Sequence, residues 1–226
     1  MTAPTLRLDD AHRYWLGDIQ LPGVTKILGA VIPRTWDATE YEMGRGTALH
    51  SAVALLADGK RKAVDAWIEQ VKASQRPDDV DKILGKLAAF EKFNKEVPGE
   101  PILAEIQMAS AKYLYAGTAD QLRKTSDRLC LIDWKSSWSA EVELQLGFYW
   151  RLLGEALKIT PTDAAAVELC NDGRYKMHNF TKRQMQLAEQ QCLSVLSVYN
   201  WMAKHNRLPA VNSNPTTQQQ QRTNSP

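Results

Sequence analysis

The sequence predicts an α/β domain, with a central mixed β-sheet flanked by helices and a helical insertion ahead of the sheet. Apolar residues recur at helical spacing between Arg61 and Glu96, at Val64, Trp67, Ile68 and Val71 and again at Val80, Ile83, Leu84, Leu87, Ala88 and Phe90. After Pro98-Gly99 the texture changes to strand-like runs separated by turn residues. Helical spacing then returns on both sides of a further pair of strands. The order of helices, three strands, helix, two strands and helix is that of an α/β or α+β fold around one sheet.

From the N-terminus, Thr5 to Leu28 alternates polar and apolar side chains, with turn signals at Asp9-Asp10 and Gly17-Asp18. Short strands or a hairpin are expected there, closed by Leu21-Pro22-Gly23. Val24 to Leu28 reads equally as the start of a helix or the end of a strand. Asp37 is a plausible cap for a helix reaching Asp58-Gly59, with a break at Gly44-Arg45-Gly46. Pro77-Asp78-Asp79 separates the two insertion helices, which occupy about residues 61–97. Strands are expected over Ile102–Ser110, Tyr113–Lys124 and Arg128–Lys135, turning at Ala111-Lys112 and Thr125-Ser126-Asp127. A helix is expected over Ala140–Lys158. A hairpin of Asp163–Cys170 and Arg174–Phe180 is expected around Asn171-Asp172-Gly173, a strong turn signal. Thr181 caps a final helix to about His205. Residues 1–208 are thus expected to form a single domain. From Pro209 the sequence is polar and rich in glutamine, and is expected to be a disordered tail.

Composition narrows the function. Of 226 residues, 44% are hydrophobic and 24% charged, an ordinary globular balance. Lysine and arginine total 28 against 26 acidic residues, which excludes a histone-like polycation and an acidic disordered chain. A local basic groove is still compatible with that total. The cysteines, Cys130, Cys170 and Cys192, are scattered and form no C-x-x-C pair, so neither a disulfide framework nor a zinc ribbon is expected. The first residues lack a basic segment followed by an apolar run, and no apolar stretch approaches the roughly 20 residues that cross a bilayer. A reduced, cytoplasmic setting without a membrane is expected.

The feature that carries chemistry is Asp120 followed by Asp133-Trp134-Lys135. With a turn centred near Ser126, Asp120 falls almost opposite Asp133. Residues two apart on a strand share a face, so Asp133 and Lys135 project together while Trp134 points to the other side. Two carboxylates and an ammonium at the end of an apolar strand are costly without a compensating partner. A divalent cation such as Mg²⁺ or Mn²⁺ compensates, and it activates water and neutralises charge on a phosphate. Taken alone, D-x-K is also the pattern of an exposed Lys–Asp pair on an edge strand. Context argues for more: Glu105 lies on the preceding strand, Gly117-Thr118-Ala119-Asp120 on a strand of its own, and His50 on an upstream helix after Gly46-Thr47-Ala48-Leu49.

In this order, G-x-x-x-H ending at His50, the isolated Glu105, G-T-x-D ending at Asp120, I-D-W-K-S-S at Ile132–Ser137 and Q-x-x-x-Y at Gln145 and Tyr149 resemble the PD-(D/E)XK nuclease superfamily. They most resemble its RecB-like exonuclease branch, which includes phage exonucleases, nuclease domains of bacterial recombination helicases and the mitochondrial genome-maintenance exonuclease. Leu21 to Leu28, L-P-G-V-T-K-I-L, resembles the opening of the phage and mitochondrial members. The resemblance covers roughly residues 21–180 and implies a restriction-endonuclease-like core.

It also implies roles. Asp120 and Asp133 match the metal-binding acids, Lys135 the catalytic lysine, His50 the histidine that reaches the metal from the first helix, and the Trp134 carbonyl the backbone ligand. Glu105 matches an acid that assists the metal or the structure. Gln145 and Tyr149 match the helix motif that lines the site and contacts nucleic acid, with Arg45 and Ser136 as further candidates for phosphate contact. Other readings stay open: His50 as a core histidine among Ala48, Leu49, Ala52 and Val53, Glu105 as a solvated strand residue, and Arg45 as a helix-surface charge. Trp36, Trp67, Trp138 and Trp150 read as packing residues rather than base-stacking platforms. Relatives with an iron–sulfur cluster clamp it with four cysteines flanking the core, so no cluster is expected with this cysteine pattern.

The expected activity is metal-dependent hydrolysis of DNA, as an exonuclease if the insertion helices cover the site and restrict it to strand ends. A structure-specific or restriction-type endonuclease and a non-catalytic nucleic-acid-binding module are the alternatives. The resemblance to phage proteins implies a role in recombination or repair beside a single-strand annealing protein, in a bacterial or phage-infected cell. Oligomeric state is open.

Overall fold

The computed structural model describes residues 4–32, 52–53, 55–56, 59–74 and 77–209. Three short strands come first, β1 (Leu6–Leu8), β2 (Tyr14–Leu16) and β3 (Ile19–Leu21), followed by α1 (Val24–Val31), α2 (Arg61–Ser74) and α3 (Pro77–Glu96). The second half runs β4 (Glu100–Ser110), β5 (Tyr115–Lys124), β6 (Leu129–Lys135), α4 (Glu141–Leu152) with a π-helical extension over Leu153–Leu157, β7 (Asp163–Leu169), β8 (Tyr175–Thr181) and α5 (Lys182–Lys204). The expected helix from Asp37, together with Arg45, His50 and Trp36, lies outside the described residues, as does the polar tail beyond residue 209.

The five long strands form one mixed sheet in the order β4-β5-β6-β7-β8. Neighbours are antiparallel except β6 and β7, which run parallel. The cause is the connection: parallel neighbours need a crossover of a dozen or more residues, and α4 is the helix that supplies it. The other links are tight turns, and Gly173, at φ +79°, serves the one between β7 and β8. The small sheet β1-β2-β3 joins the large one where Gly23 bridges Ala116 and the Ala116 N–H donates to the Pro22 carbonyl.

Period-two alternation gives the large sheet two buried faces. Leu131, Ala164 and Ala166 face α1, α4 and α5 in one core, while Ile132, Trp134, Ala165 and Val167 face α3 in the other. On the α3 side, Phe90 and Phe93 each meet the Trp134 ring edge-on at 5.0 Å. Arg123, on β5, locks the end of α3 by donating to Asn94 Oδ1 and to the carbonyls of Val97 and Pro98.

Details depart from expectation for local reasons. Val24–Leu28 resolves as helix: Val24, Ile27 and Leu28 are buried at helical spacing against the core. Pro77 begins α3 instead of lying between helices, which suits a residue whose missing N–H has no helical partner in the first turn. β5 starts at Tyr115, two residues late, because Leu114 takes φ +55° and lengthens the turn. The last turn of the helix after Ala140 widens into π form and stops at Lys158, φ +59°.

α5 starts as its sequence predicts. Thr181 accepts from the Gln184 N–H at 3.3 Å, and Gln184 Oε1 accepts from the Thr181 N–H at 2.9 Å, a reciprocal capping box. Thr181→Ala is expected to lower stability by about 1 kcal/mol, read as a lower urea midpoint with an unchanged slope. Among the described residues, no helix is long and apolar enough to cross a membrane.

Candidate active site

β6 carries the apolar run Leu131-Ile132 directly into Asp133, whose side chain is 2% exposed. A carboxylate so buried costs several kcal/mol unless a positive charge answers it. Lys135 answers it, with Nζ 2.7 Å from Asp133 Oδ2. The two share a face of β6, as the alternation predicts.

Asp120 arrives from β5. The β5–β6 ladder runs to the pair Gln121↔Ile132, and one more step of that register sets Asp120 across from Asp133. There the regular pairing ends. The Trp134 N–H donates to Asp120 Oδ2 at 2.7 Å, so a side chain takes the place of a main-chain acceptor and the strands part. In an extended residue the N–H and C=O leave the same edge of the strand, so the Trp134 carbonyl points into this opening. The Trp134 ring lies on the far side against Phe90 and Phe93, as predicted.

Helix α4 lines the same opening. Lys135 Nζ donates to Gln145 Oε1 at 2.8 Å, and Gln145 Nε2 donates to the Tyr149 hydroxyl at 2.9 Å. Gln145 and Tyr149 are one helical turn apart and so share a face. Burial, and then the charge of Asp133, hold the Tyr149 phenol well above its ordinary range, so it stays a neutral hydroxyl. Gly117 explains the glycine of the G-T-x-D segment. A Cβ there would come within 2.8 Å of Tyr149 Cε1 and 2.9 Å of Val24 Cγ2. Next to it, the Thr118 and Tyr14 hydroxyls share a hydrogen bond of 2.8 Å that ties β2 to this end of β5.

Glu105 stands on the neighbouring strand β4. The pairs Ala104↔Gln121 and Ile106↔Ala119 set it across from Asp120, but its side chain is exposed. Its backbone has φ +48°, a left-handed conformation rare for a glutamate and a local strain of about 1 kcal/mol. Among the described residues, no three His, Cys, Asp or Glu side chains gather closely enough to hold a metal ion. The oxygens bordering the opening are those of Asp120 and Asp133, set across from each other by the register, and the Trp134 carbonyl. Ser136 lies at the mouth with an exposed side chain.

Three features escaped the sequence reading. Lys86, 6% exposed on α3, donates at 2.8 Å to both the Ser136 and the Leu169 carbonyls, tying the C-terminal ends of β6 and β7 together beneath the site. Its signal was available, since Lys86 falls on the apolar face of α3 between Ile83 and Phe90. The insertion helices were expected to cover the acids, yet α3 packs on the opposite face of the sheet, against Ile132 and Trp134. They therefore give no reason to restrict the site to strand ends. Trp138 is the third. It was read as a packing residue, as Trp150 proves to be, but it is 41% exposed.

The chain matches no protein-family model and no curated protein. Among solved structures it is similar to a protein of Eubacterium rectale described provisionally as an exonuclease, at 10% identity and a TM-score of 0.51, with 84% of this chain and 83% of that chain covered. It also aligns with the structure of SSO0001 at 14% identity and a TM-score of 0.33, over 76% and 75% of the two chains. The first likeness shows a shared fold, and the mixed five-stranded sheet with helices on both faces is compatible with a restriction-endonuclease-like core.

Proposed function

We propose that the protein is a metal-dependent deoxyribonuclease of the PD-(D/E)XK type, an exonuclease of its RecB-like branch. One arrangement carries the reading: where β5 and β6 part, Asp120 accepts from the Trp134 N–H and the neighbouring Asp133 holds Lys135, with the Trp134 carbonyl directed into the same opening. The shared fold with a protein described as an exonuclease supports it. The motif order, with His50 and Arg45 upstream, supports the choice of branch, DNA as substrate, and a recombination or repair role beside a single-strand annealing protein.

Among the described residues the donors are oxygens, which fits Mg²⁺ or Mn²⁺ and disfavours a soft metal or a cluster. Asp120, Asp133 and the Trp134 carbonyl would hold the cation, with His50 as a further ligand. When bound, it sets positive charge against the phosphate oxygens and makes water more acidic. The remaining work falls to this chain. Lys135 has three N–H donors; one goes to Gln145 Oε1, and the ammonium, ion-paired with Asp133, would turn another toward the attacking water or the scissile phosphate. Tyr149, a neutral hydroxyl accepting from Gln145 Nε2, turns the amide so that Oε1 faces Lys135. That fixes the ammonium before substrate arrives, which is where preorganised charge gains its catalytic effect.

The test is digestion of end-labelled linear DNA and a covalently closed single-stranded circle, with Mg²⁺, Mn²⁺ or chelator. Linear DNA should disappear with either metal and persist in chelator, and the circle should stay intact. Cleavage in chelator overturns the metal. Cutting of the circle replaces the exonuclease by an endonuclease. Binding without any cleavage replaces both by a nucleic-acid-binding module.

A further inference from the structure

Beyond the acids, the same face of the sheet continues to an exposed aromatic stack. Asp133 pairs with Ala166, and Ala166 with His178, so His178 stands in the row of Asp133, two strands away. At the usual strand spacing that is about 10 Å. The row between them is low, because Ala166 has only a methyl group. The Trp138 indole lies flat on His178, with ring centres 3.8 Å apart and planes within 16°, and reaches toward Phe180 at 6.3 Å and 20°. One face of the indole is thus taken by the rings of β8, yet 41% of the residue remains exposed. Tryptophan is usually far more buried than this.

The chain leading into the platform is anchored. Trp138 follows Ser136 by two residues, and the Ser136 carbonyl is held by buried Lys86. Beneath the stack, Glu168 Oε2 lies 3.9 Å from His178 Nε2 and 3.2 Å from Lys176 Nζ. Lys176, two residues before His178 on β8, brings one ammonium beside the stack, paired with Glu168. A flat, half-exposed ring about one nucleotide from a phosphate bound at the acids fits an unpaired base of a single strand. A paired base inside a duplex offers no free face.

We infer that Trp138, backed by His178, is a stacking platform for one unpaired nucleobase next to the scissile phosphate, so that the strand is single-stranded where it is cut. The inference rests on the nuclease reading and specifies its substrate. Binding of a fluorescein-labelled oligothymidylate, and of an abasic oligomer with the same sugar-phosphate backbone, is measured by anisotropy in chelator. The full chain, Trp138→Ala and Trp138→Phe are compared. Trp138→Ala should weaken oligothymidylate binding about tenfold or more, while changing abasic binding little, with Trp138→Phe in between. Equal loss on both oligomers, or no loss on either, overturns the platform. If the full chain cuts DNA with Mg²⁺ while either result holds, the platform alone fails. If the full chain neither binds nor cuts, the nuclease reading fails with it.

Discussion

Asp133→Asn is expected to give a folded protein whose cleavage of linear DNA falls about 10³-fold or more. Asparagine keeps the shape of aspartate and an oxygen at the same place, but not its charge. A neutral amide holds a divalent cation poorly and gives Lys135 no partner ion, so two of the three charged groups at the parting of β5 and β6 are compromised at once. Folding should survive, because the charge left behind, Lys135, is partly exposed and keeps its bond to Gln145 Oε1, while the more deeply buried charge is the one removed. Lys135→Ala is the less clean experiment. It leaves the Asp133 carboxylate, 2% exposed, without its ammonium at 2.7 Å, and breaking such a pair from one side costs about 3–5 kcal/mol. The two substitutions are therefore not equivalent: Lys135→Ala should lose stability as well as activity. Single-turnover cleavage, DNA binding in chelator and thermal denaturation separate these effects. A folded Asp133→Asn protein that cuts within tenfold of the wild-type rate places the chemistry elsewhere.

What the sequence makes legible of this site is its short-range part. The turn near Ser126 fixes the β5–β6 register, and period two then decides that Asp133 and Lys135 share a face while Trp134 does not. The four-residue spacing of Gln145 and Tyr149 places both on one side of α4, where they form a chain of hydrogen bonds to Lys135. Long-range choices are not written in such periods. A central sheet is covered on both faces, so the apolar stripe of α3 predicts burial without saying which face it takes. The end of the β5–β6 ladder at Gln121↔Ile132 depends on Asp120 accepting from the Trp134 N–H. The left-handed backbone of Glu105 lies across from it. Neither leaves a mark in composition or spacing. Trp138 escaped because an indole three residues after Lys135 looks the same in sequence whether it packs inward or lies on a strand. Lys86 escaped because a lysine in a helix is read as a solvated charge unless its position on the apolar face is weighed.

Gly85→Ala is expected to be the most destabilising small substitution in the scaffold, by about 3 kcal/mol or more. Gly85 lies on α3 against the turn between β7 and β8. A Cβ placed there would fall 1.7 Å from the Asn171 carbonyl oxygen and 2.4 Å from its carbon. Both are main-chain atoms, so no side-chain rotation relieves the clash. Relief requires α3 to lift away from the turn, and α3 does not move alone. Its next residue, Lys86, holds the Ser136 and Leu169 carbonyls, and Phe90 and Phe93 seat the Trp134 ring. Lifting the helix loosens the end of β6 on which Asp133 and Lys135 stand. Protein that remains folded at low temperature should therefore also cut more slowly, although Gly85 lies on the far side of the sheet from the acids. Gly154→Ala is the control, because its added Cβ meets nothing nearer than 4.0 Å, and its stability should stay within about 0.5 kcal/mol of wild type. Urea denaturation and single-turnover cleavage read both variants. If Gly85→Ala unfolds at the wild-type midpoint, α3 is not seated against the turn, and the support of the site from the opposite face of the sheet is lost with it.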